Sequence, residues 1–429
     1  MLSRRQFLGT SIAAAAAPAV HPTVAKGTPP SAALPPSVAA LRSRQREAVP
    51  ISNAERMGRI ERARALMTER GLDGIMLTGG TSLVYYTNMQ WGLSERLLAL
   101  VLPVRGAPFL VTPAFEEERA REQIAEGPLA DSGADVMTWQ EDESPYRLVA
   151  DGMRARGLGA GTLGIEETVR FVFSDGVAAA APGLTLASAT QVTAGCRGVK
   201  DEHELALMRL ASEVTLQAYE AAYRALDEGM TQNDFARLVA EAHTKLGFPG
   251  GAGVQTGPYA ALPHGSVTPQ VIREGTILLI DGGGSVEGYR SDISRTFVLG
   301  IPTDKMKRVF EIELRAQTVA LRAARPGVPC QAVDAAARKV ITDAGYGPDY
   351  KYFTHRVGHG IGMDGHEWPY LVRGNTLPLA PGMTFSDEPG IYLPGEFGVR
   401  LEDDMVITED GAELFTPQSP SLEDPFGTM

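Results

Sequence analysis

Ile277 to Phe297, which reads ILLIDGGGSVEGYRSDISRTF, is the stretch that decides the fold. We predict an apolar strand that ends at Asp281, a turn through three glycines, and a return strand that carries a second acid, Asp292. A single acid at the end of a buried strand is common, because strand ends meet water and Asp-Gly is a turn dipeptide. The hairpin therefore indicates a function only if a related segment occurs elsewhere in the chain.

A related segment does occur, because the C-terminal half of the chain contains an internal repeat. Residues 229–248 align without a gap on residues 327–346, at an offset of 98 residues, and each copy is expected to hold a helix that begins after a polar cap. In the hairpins that follow, Asp281 aligns with Glu388, and Asp292 aligns with Glu402. The repeat predicts two similar layers around a pseudo-twofold axis, in which the four carboxylates converge.

Four converging carboxylates require positive charge between them. Two like charges about 4 Å apart cost on the order of 4 kcal/mol at an effective dielectric constant near 20. Two divalent cations would neutralise the four acids, and His359, which lies between glycines in HRVGHGIGMDGHE, is the expected nitrogen ligand. Taken singly, each acid is more often a turn or solvated residue, and His359 a structural histidine. The prediction of a two-metal hydrolase therefore rests on their joint placement.

Length and composition indicate a large globular protein. A chain of 429 residues that is 44% hydrophobic can bury a large core in two or three domains. The net charge of −12 argues against nucleic acid as a partner. The two cysteines, Cys196 and Cys330, exclude a disulfide scaffold and any multi-cysteine zinc site, and they leave one bridge open.

The N-terminus is interpreted as a targeting segment. Arg4 and Arg5 precede a short alanine-rich run that resembles the twin-arginine signal for export of folded proteins, to the periplasm or the outside; the alternative is a chance Arg-Arg in a disordered tail. No later window holds about 18 unbroken apolar residues, so no permanent membrane span is expected.

The whole chain is predicted to divide into four segments. Alternating strand and helix patterns indicate an α/β domain before the duplicated unit, and proline-rich sequence before that domain predicts a disordered linker. The segments are a signal peptide at 1–26, a linker at 27–52, an N-terminal domain at 53–192 and a catalytic domain at 193–429.

Taken together, the motifs resemble those of one known family. LLIDGGG with YRSDISRTF, HRVGHGIGMDGHE, SDEPGIYLP and GVRLEDDMVIT are similar to the successive motifs of the metallopeptidase family that includes aminopeptidase P, prolidase and methionine aminopeptidase. The likeness covers residues 53–418. It implies a fold of the α/β and α+β classes, in which a creatinase-like N-terminal α/β domain precedes a duplicated, pseudo-twofold pita-bread catalytic domain.

The resemblance also implies metal-binding roles. Asp281 would bind one metal, Asp292 and Glu402 would bridge both, and His359 and Glu388 would complete the second. A water between the cations would be the nucleophile, and Glu388 would shuttle its proton. The ligand set favours two manganese ions, with cobalt, zinc or iron as alternatives.

Other residues match family positions near the substrate. His264 and His366 would contact it around the scissile bond, Arg400 would lie near its carboxyl end, and His355 would lie in the wall of the proline pocket. Taken alone, His264 is more often a loop histidine. Asp387 departs from the family, which usually has an uncharged residue there, and this predicts altered metal affinity or pH dependence.

The implied activity is hydrolysis of the Xaa-Pro bond, in dipeptides or at the N-terminus of longer peptides. Two alternatives stay open: a metal-dependent hydrolase or lyase of a small non-peptide compound, and a catalytically inactive binding protein. The resemblance further implies a homodimer, in which the N-terminal domain overhangs the metal cleft, often that of the partner. Tyr85, Tyr86 and Trp91 are predicted in a loop after a strand, where Trp91 would limit substrate length unless these aromatics pack in their own core.

Overall fold

The structure is a computed structural model that describes residues 33–427, so the twin-arginine segment and the start of the expected linker lie outside the described residues. The expectation of a disordered linker is wrong for residues 36–52. This segment forms helix α1 (Pro36–Ala39) and a 3₁₀ turn, Gln45–Glu47. Ser37 Oγ donates to the carbonyl of Ala221 at 2.8 Å, and Arg44 pairs with Glu213 at 2.8 Å. Prolines restrict the backbone without preventing order, and these contacts hold the segment in place.

The N-terminal domain contains a six-stranded mixed sheet, which agrees with the expected α/β class. Its strand order is β4-β3-β2-β1-β5-β6; β2 is antiparallel to β1 and β3, and the other neighbours are parallel. The first long helix begins at a capping box between Ser52 and Glu55 and ends at Gly71 in the left-handed conformation. The elements are α2 (Asn53–Arg70), β1 (Gly74–Leu77), α3 (Thr81–Thr87), β2 (Ala99–Pro103), β3 (Phe109–Pro113), α4 (Glu117–Glu126), β4 (Asp135–Trp139), α5 (Pro145–Ala155), β5 (Thr162–Ile165), α6 (Phe171–Ala180), β6 (Thr185–Ser188) and α7 (Thr190–Gly198).

The aromatic residues of this domain only partly follow the prediction. Tyr85 and Tyr86 lie on α3 and are buried in the core, so their placement in a loop is wrong. Helix α3 has only seven residues, Thr81–Thr87, and so short a helix shows no clear helical period in the sequence. Trp91 does lie in a loop and is partly buried.

The C-terminal half repeats one helix-and-hairpin unit. Its three sheets have the orders β10-β8-β7, with β9 beside β8, then β12-β11-β13-β16-β17, and β14-β15. The predicted domain boundary after residue 192 falls inside α7 and stays a prediction. The elements are α8 (Glu202–Tyr223), α9 (Gln232–Leu246), β7 (Gly250–Thr256), β8 (Ile277–Val286), β9 (Tyr289–Arg290), β10 (Ile293–Val298), α10 (Asp304–Ala323), α11 (Cys330–Asp343), β11 (Gly358–Gly360), β12 (Glu367–Leu371), β13 (Thr384–Asp387), β14 (Gly390–Leu393), β15 (Phe397–Arg400), β16 (Asp403–Ile407) and β17 (Ala412–Leu414).

Equivalent hydrogen bonds close the two repeated hairpins at their open ends. The amide of Gly275 donates to Leu299, and that of Gly382 donates to Ile407, and both glycines have a positive φ, 71° and 82°. Helices α9 and α11 occupy the repeated segments, as predicted. The polar cap is found only in the first copy, at Thr231, because Pro329 precedes α11 and offers no side-chain hydrogen bond.

The three glycines after Asp281 do not form the predicted turn. Strand β8 continues through them to Val286, and the turn comes at residues 287–288. A Cβ on Gly283 would lie 1.7 Å from the carbonyl oxygen of Ser291, and one on Gly282 would lie 2.5 Å from that of Gly251. The glycines therefore allow neighbouring backbones to approach this strand closely.

Two questions left by the sequence are answered by the fold. Cys196 and Cys330 are both free and buried, and they belong to different hydrophobic clusters. Between residues 33 and 427, none of the helices combines the length and apolar character that crossing a bilayer requires.

Candidate metal centre

The two hairpins meet where their acids were predicted to converge. Strands β8 and β10 pair with Ser294 opposite Asp281, and β13 and β16 pair with Asp387 opposite Asp403. An isolated bridge between Ser294 and Glu402 joins one hairpin to the other. This bridge brings the acids of both halves of the repeat to one place.

The ligating atoms of six side chains form three overlapping groups. Within each group, the carboxylate oxygens and imidazole nitrogens lie within 4.8 Å of one another. All five predicted metal ligands take part, together with His366. The groups are Asp281 with Asp292 and Glu402; His359 with Glu388 and Glu402; and Asp292 with His359 and His366.

His359 is held with one nitrogen directed at the acids. Its Nδ1 lies 3.1 Å from the carbonyl oxygen of Gly360, which can only accept, so Nδ1 carries the proton and Nε2 keeps a lone pair. Nε2 lies 3.1 Å from Glu388 and 3.9 Å from Asp292. A Cβ on Gly358 would lie 2.0 Å from the carbonyl oxygen of Ser386, so this glycine permits the close approach of β11 to β13. His359 lies on strand β11, so it does not belong to a zinc-binding helix of the HExxH type.

The electrostatics of these side chains favour bound cations. Burial and the neighbouring acids Asp292 and Glu388 raise the pKa of Glu402 well above its ordinary value. Burial, followed by the charge of Asp281, also raises the pKa of Asp292. Ionised carboxylates this close are unfavourable without positive charge between them. Four carboxylates and one imidazole with a free lone pair fit divalent cations such as manganese or zinc.

Two serines near the acids were not predicted. The hydroxyl of Ser294 lies 2.6 Å from Glu402 and 3.0 Å from Asp281, and it can donate to one of them at a time. The hydroxyl of Ser386 donates to Glu388 at 3.2 Å and accepts from the amide of His359 at 3.0 Å. Their positions two residues from Asp292 and Glu388, on the same strand faces, are the sequence feature that could have identified them.

Arg400 lies beside the acids and is fully engaged. Its Nη2 pairs with Asp281 at 2.6 Å, and its Nε donates to Ser294 at 2.9 Å. Its Nη1 donates to the carbonyl of Pro263 and to the hydroxyl of Tyr392, both at 3.0 Å. The side chain is buried, so every nitrogen of the guanidinium is used within the protein.

His355 is fixed by the same network. The Tyr392 hydroxyl accepts from Arg400, so it donates its own proton to His355 Nε2, 2.7 Å away. His355 Nδ1 in turn lies 2.8 Å from the carbonyl oxygen of Arg356 and donates to it. Burial lowers the pKa of His355, which agrees with this neutral form.

A cavity of about 660 Å³ opens onto the acids. His264 and His366 line it, as do the five predicted ligands, His355 and Arg400. The ring of His366 stacks on that of His359, with 3.6 Å between centroids. Trp91 lies elsewhere, in a second cavity of about 580 Å³, where the guanidinium of Arg119 covers its ring at 4.3 Å.

Asp387, the residue that departs from the family pattern, lies behind the centre. Its side chain is buried, and both carboxylate oxygens lack a hydrogen-bond partner among the described residues. Burial, followed by the charges of Asp403 and Glu313, raises its pKa well above the ordinary value. A neutral Asp387 is the form that such surroundings favour.

Comparisons with known proteins give matches to three family models and to several relatives. Residues 206–409 match the model of metallopeptidase family M24, residues 59–199 match the creatinase/prolidase N-terminal domain, and residues 1–21 match the twin-arginine translocation signal sequence. The chain is 37% identical over 360 residues to a probable dipeptidase PepE of Mycobacterium tuberculosis, covering 82% of this chain and 92% of the relative. It is 34% identical over 366 residues to an Xaa-Pro dipeptidase of Lactobacillus delbrueckii, covering 83% and 96%. The crystal structure of dipeptidase PepE from Mycobacterium ulcerans superposes with a TM-score of 0.81 at 35% identity, covering 87% of this chain and 99% of that one.

Proposed function

This chain belongs to metallopeptidase family M24, with a creatinase-type N-terminal domain, and we propose that it uses two divalent cations to hydrolyse the Xaa-Pro bond of dipeptides. The observation that carries the proposal is the convergence of five ligating side chains beside a cavity lined by two further histidines. Two relatives are named probable dipeptidase and Xaa-Pro dipeptidase, and these names support dipeptides over longer peptides as substrates.

The proposed ligands divide between two cations. Asp281 would hold the first, His359 and Glu388 the second, and Asp292 and Glu402 both. Among the four acids, only Asp292 and Glu402 belong to two ligating groups each, which supports their bridging role. When bound, the cations supply an activated water and polarise the scissile carbonyl group. We propose manganese as the native metal, because carboxylate ligands predominate.

Glu388 and His366 are the groups suited to handle protons and charge. Glu388 lines the cavity beside His359, where its carboxylate can accept a proton from the attacking water. Burial, as the largest cause, lowers the pKa of His366 to about 4, so His366 is neutral near pH 7. Arg356 donates to His366 Nδ1 at 3.3 Å, which leaves the His366 proton on Nε2 as a donor for a substrate oxygen.

The remaining groups would shape the substrate site. His264 lines the cavity from an exposed loop and would contact substrate on the other side of the scissile bond. His355, whose two nitrogens are both engaged, would form part of the wall of the proline pocket. Hydrolysis takes place, in this proposal, between His264 and His366.

The proposal is tested with protein stripped of metal by a chelator and reloaded with manganese, cobalt, zinc or iron. Metal content is measured by mass spectrometry, and hydrolysis is followed for Leu-Pro, Leu-Pro-Gly and, as a control without proline, Leu-Gly. We expect two equivalents of metal and the highest kcat/KM for Leu-Pro. Failure to cleave either proline peptide with any metal would favour the alternative of a small non-peptide substrate.

The signal sequence indicates export, and we propose the periplasm as the destination, with release to the outside as the alternative. We also propose a homodimer, on the resemblance to the family alone. Fractionation of cells and light scattering of the mature protein test these two points separately.

A further inference from the structure

Arg356 is a cation of the catalytic cavity without an acidic partner. It lines the cavity and is half-buried, and the described residues place no carboxylate within ion-pair distance of its guanidinium. Its carbon Cζ lies 4.1 Å from the centroid of the Tyr370 ring, and its Nη2 reaches His366 at 3.3 Å. One hydrogen bond to a neutral imidazole leaves most of its five N–H donors free.

The other arginine of the cavity cannot offer the same donors. Arg400 pairs with Asp281 and donates to Ser294, Tyr392 and the carbonyl of Pro263, so binding a substrate carboxylate would require breaking buried bonds. Arg400 is 3% exposed. Arg400 can therefore lie near the carboxyl end of the substrate, as expected, without forming an ion pair with it.

We propose that Arg356 binds the free α-carboxylate of the C-terminal residue of a dipeptide, an inference that rests on the proposed peptidase function. The guanidinium fork matches a carboxylate in two parallel hydrogen bonds, and the Tyr370 ring holds it from one face. The donor on His366 Nε2 for the scissile carbonyl and the donors of Arg356 lie side by side, as the two groups of a dipeptide require. The apolar side chains of Leu279 and Val372 line the same cavity and suit a pyrrolidine ring.

This arrangement selects substrates by charge as well as by length. In a longer peptide the carboxyl group of proline is an amide, which carries no charge and offers one oxygen instead of two. Arg356 then keeps its charge within the cavity without an anionic partner. Recognition of the carboxylate by Arg356 therefore favours dipeptides independently of the length of the cavity.

The test compares Leu-Pro with Leu-Pro amide, which has the same length and lacks the carboxylate charge. In the wild type we expect kcat/KM for Leu-Pro to exceed that for the amide by about 10- to 100-fold, the range of a charge-assisted hydrogen-bonded pair. Arg356→Met should lower kcat/KM for both substrates, because it removes the hydrogen bond to His366. The loss for Leu-Pro should be about 10- to 100-fold larger than the loss for the amide, so that most of the preference disappears. The matched control is Arg373→Met, because Arg373 lies near β12 outside this cavity and pairs with Asp349 on the surface.

Metal content and melting temperature of each variant establish that the centre and the fold are intact. Equal losses for both substrates in Arg356→Met, or an unchanged preference, would overturn the assignment. Calorimetry measures the binding of the two compounds without requiring turnover. If the protein hydrolyses neither compound, the proposed function is refuted, but the binding comparison still tests the role of Arg356. Binding of Leu-Pro no tighter than of its amide would then overturn this inference as well.

Discussion

Glu402 is one of the two acids that connect the ligating groups of the centre. It belongs to two of the three ligating groups, it faces the hydroxyl of Ser294, and it is 2% exposed. Asp281 belongs to one group only and is partly exposed. The two residues are therefore expected to respond differently to removal of their carboxylates.

Glu402→Ala should lose both metals, whereas Asp281→Ala should retain one. Loss of a bridging carboxylate damages two coordination spheres and leaves the other acids in mutual repulsion, while loss of a terminal ligand damages one. Metal counting on the purified variants, with circular dichroism to verify folding, decides between these outcomes. Two equivalents of metal in Glu402→Ala would contradict the bridging role.

His264→Ala and His366→Ala should fold, bind metal and lose turnover. Both side chains line the cavity, and neither is assigned as a metal ligand, so kcat should fall by about 100-fold or more while metal content stays near that of the wild type. His366 also belongs to one ligating group, so its metal content is the more informative measurement. Loss of one metal in His366→Ala would make it a ligand, and unchanged kcat in His264→Ala would remove that residue from the site.

At the scale of elements, the strand that begins after His366 is anchored by a buried ionic network. Lys200 pairs with Glu367 at 2.6 Å, and both side chains are almost fully buried. Arg197 on α7 lies 3.4 Å from Glu367 and donates to Ser82 on α3 at 2.6 Å. Glu367 is the neighbour of His366, so the network connects the N-terminal domain to a residue of the cavity.

Glu367→Gln should therefore lower kcat as well as stability. Breaking a buried ion pair costs about 3–5 kcal/mol, and displacement of the backbone at residue 367 would move His366. The matched control is Glu204→Gln, which disrupts the buried pair of Glu204 with Arg59, 3.3 Å apart, on other elements. Both variants should melt at lower temperature, and only Glu367→Gln should lose kcat at full metal content. If kcat is the same in the two variants, the network stabilises the fold but does not position His366.

At the scale of the whole molecule, the position of Trp91 connects substrate length to assembly. Trp91 does not line the catalytic cavity of its own chain. Trp91 can therefore limit substrate length, as predicted, only from a second copy of the chain. In the proposed homodimer, the N-terminal domain of one copy would overhang the cleft of the other.

Trp91→Ala should change the ratio of kcat/KM for Leu-Pro-Gly to that for Leu-Pro, with metal content unchanged. The effect should vanish under dilution to monomers, because the tryptophan would then be absent from the cleft. Substrates of two to five residues, measured above and below the dissociation constant of the dimer, test both statements. Parallel profiles for the variant and the wild type would assign Trp91 to packing alone.

The sequence by itself determined the family, the duplicated hairpins and the five side chains that converge. These features depend on residue types at fixed spacings, and two aligned copies place Asp281 with Glu388 and Asp292 with Glu402 whatever the details of packing. The resemblance of the motifs supplied the proposed roles of the histidines.

Only the tertiary structure decided how these side chains are supported and which of them are free. The glycines after Asp281 are needed because the backbones of Ser291 and Gly251 come close, and these neighbours are distant or opposite in the sheet. Residues 36–52 are ordered by contacts with α8, which no local pattern encodes. Arg356 and Arg400 are the same residue type in neighbouring motifs, and the sequence could not distinguish them. The guanidinium nitrogens of Arg400 all have hydrogen-bond partners, whereas most donors of Arg356 are free. The difference arises because the strands and loops that meet in space determine which partners are available.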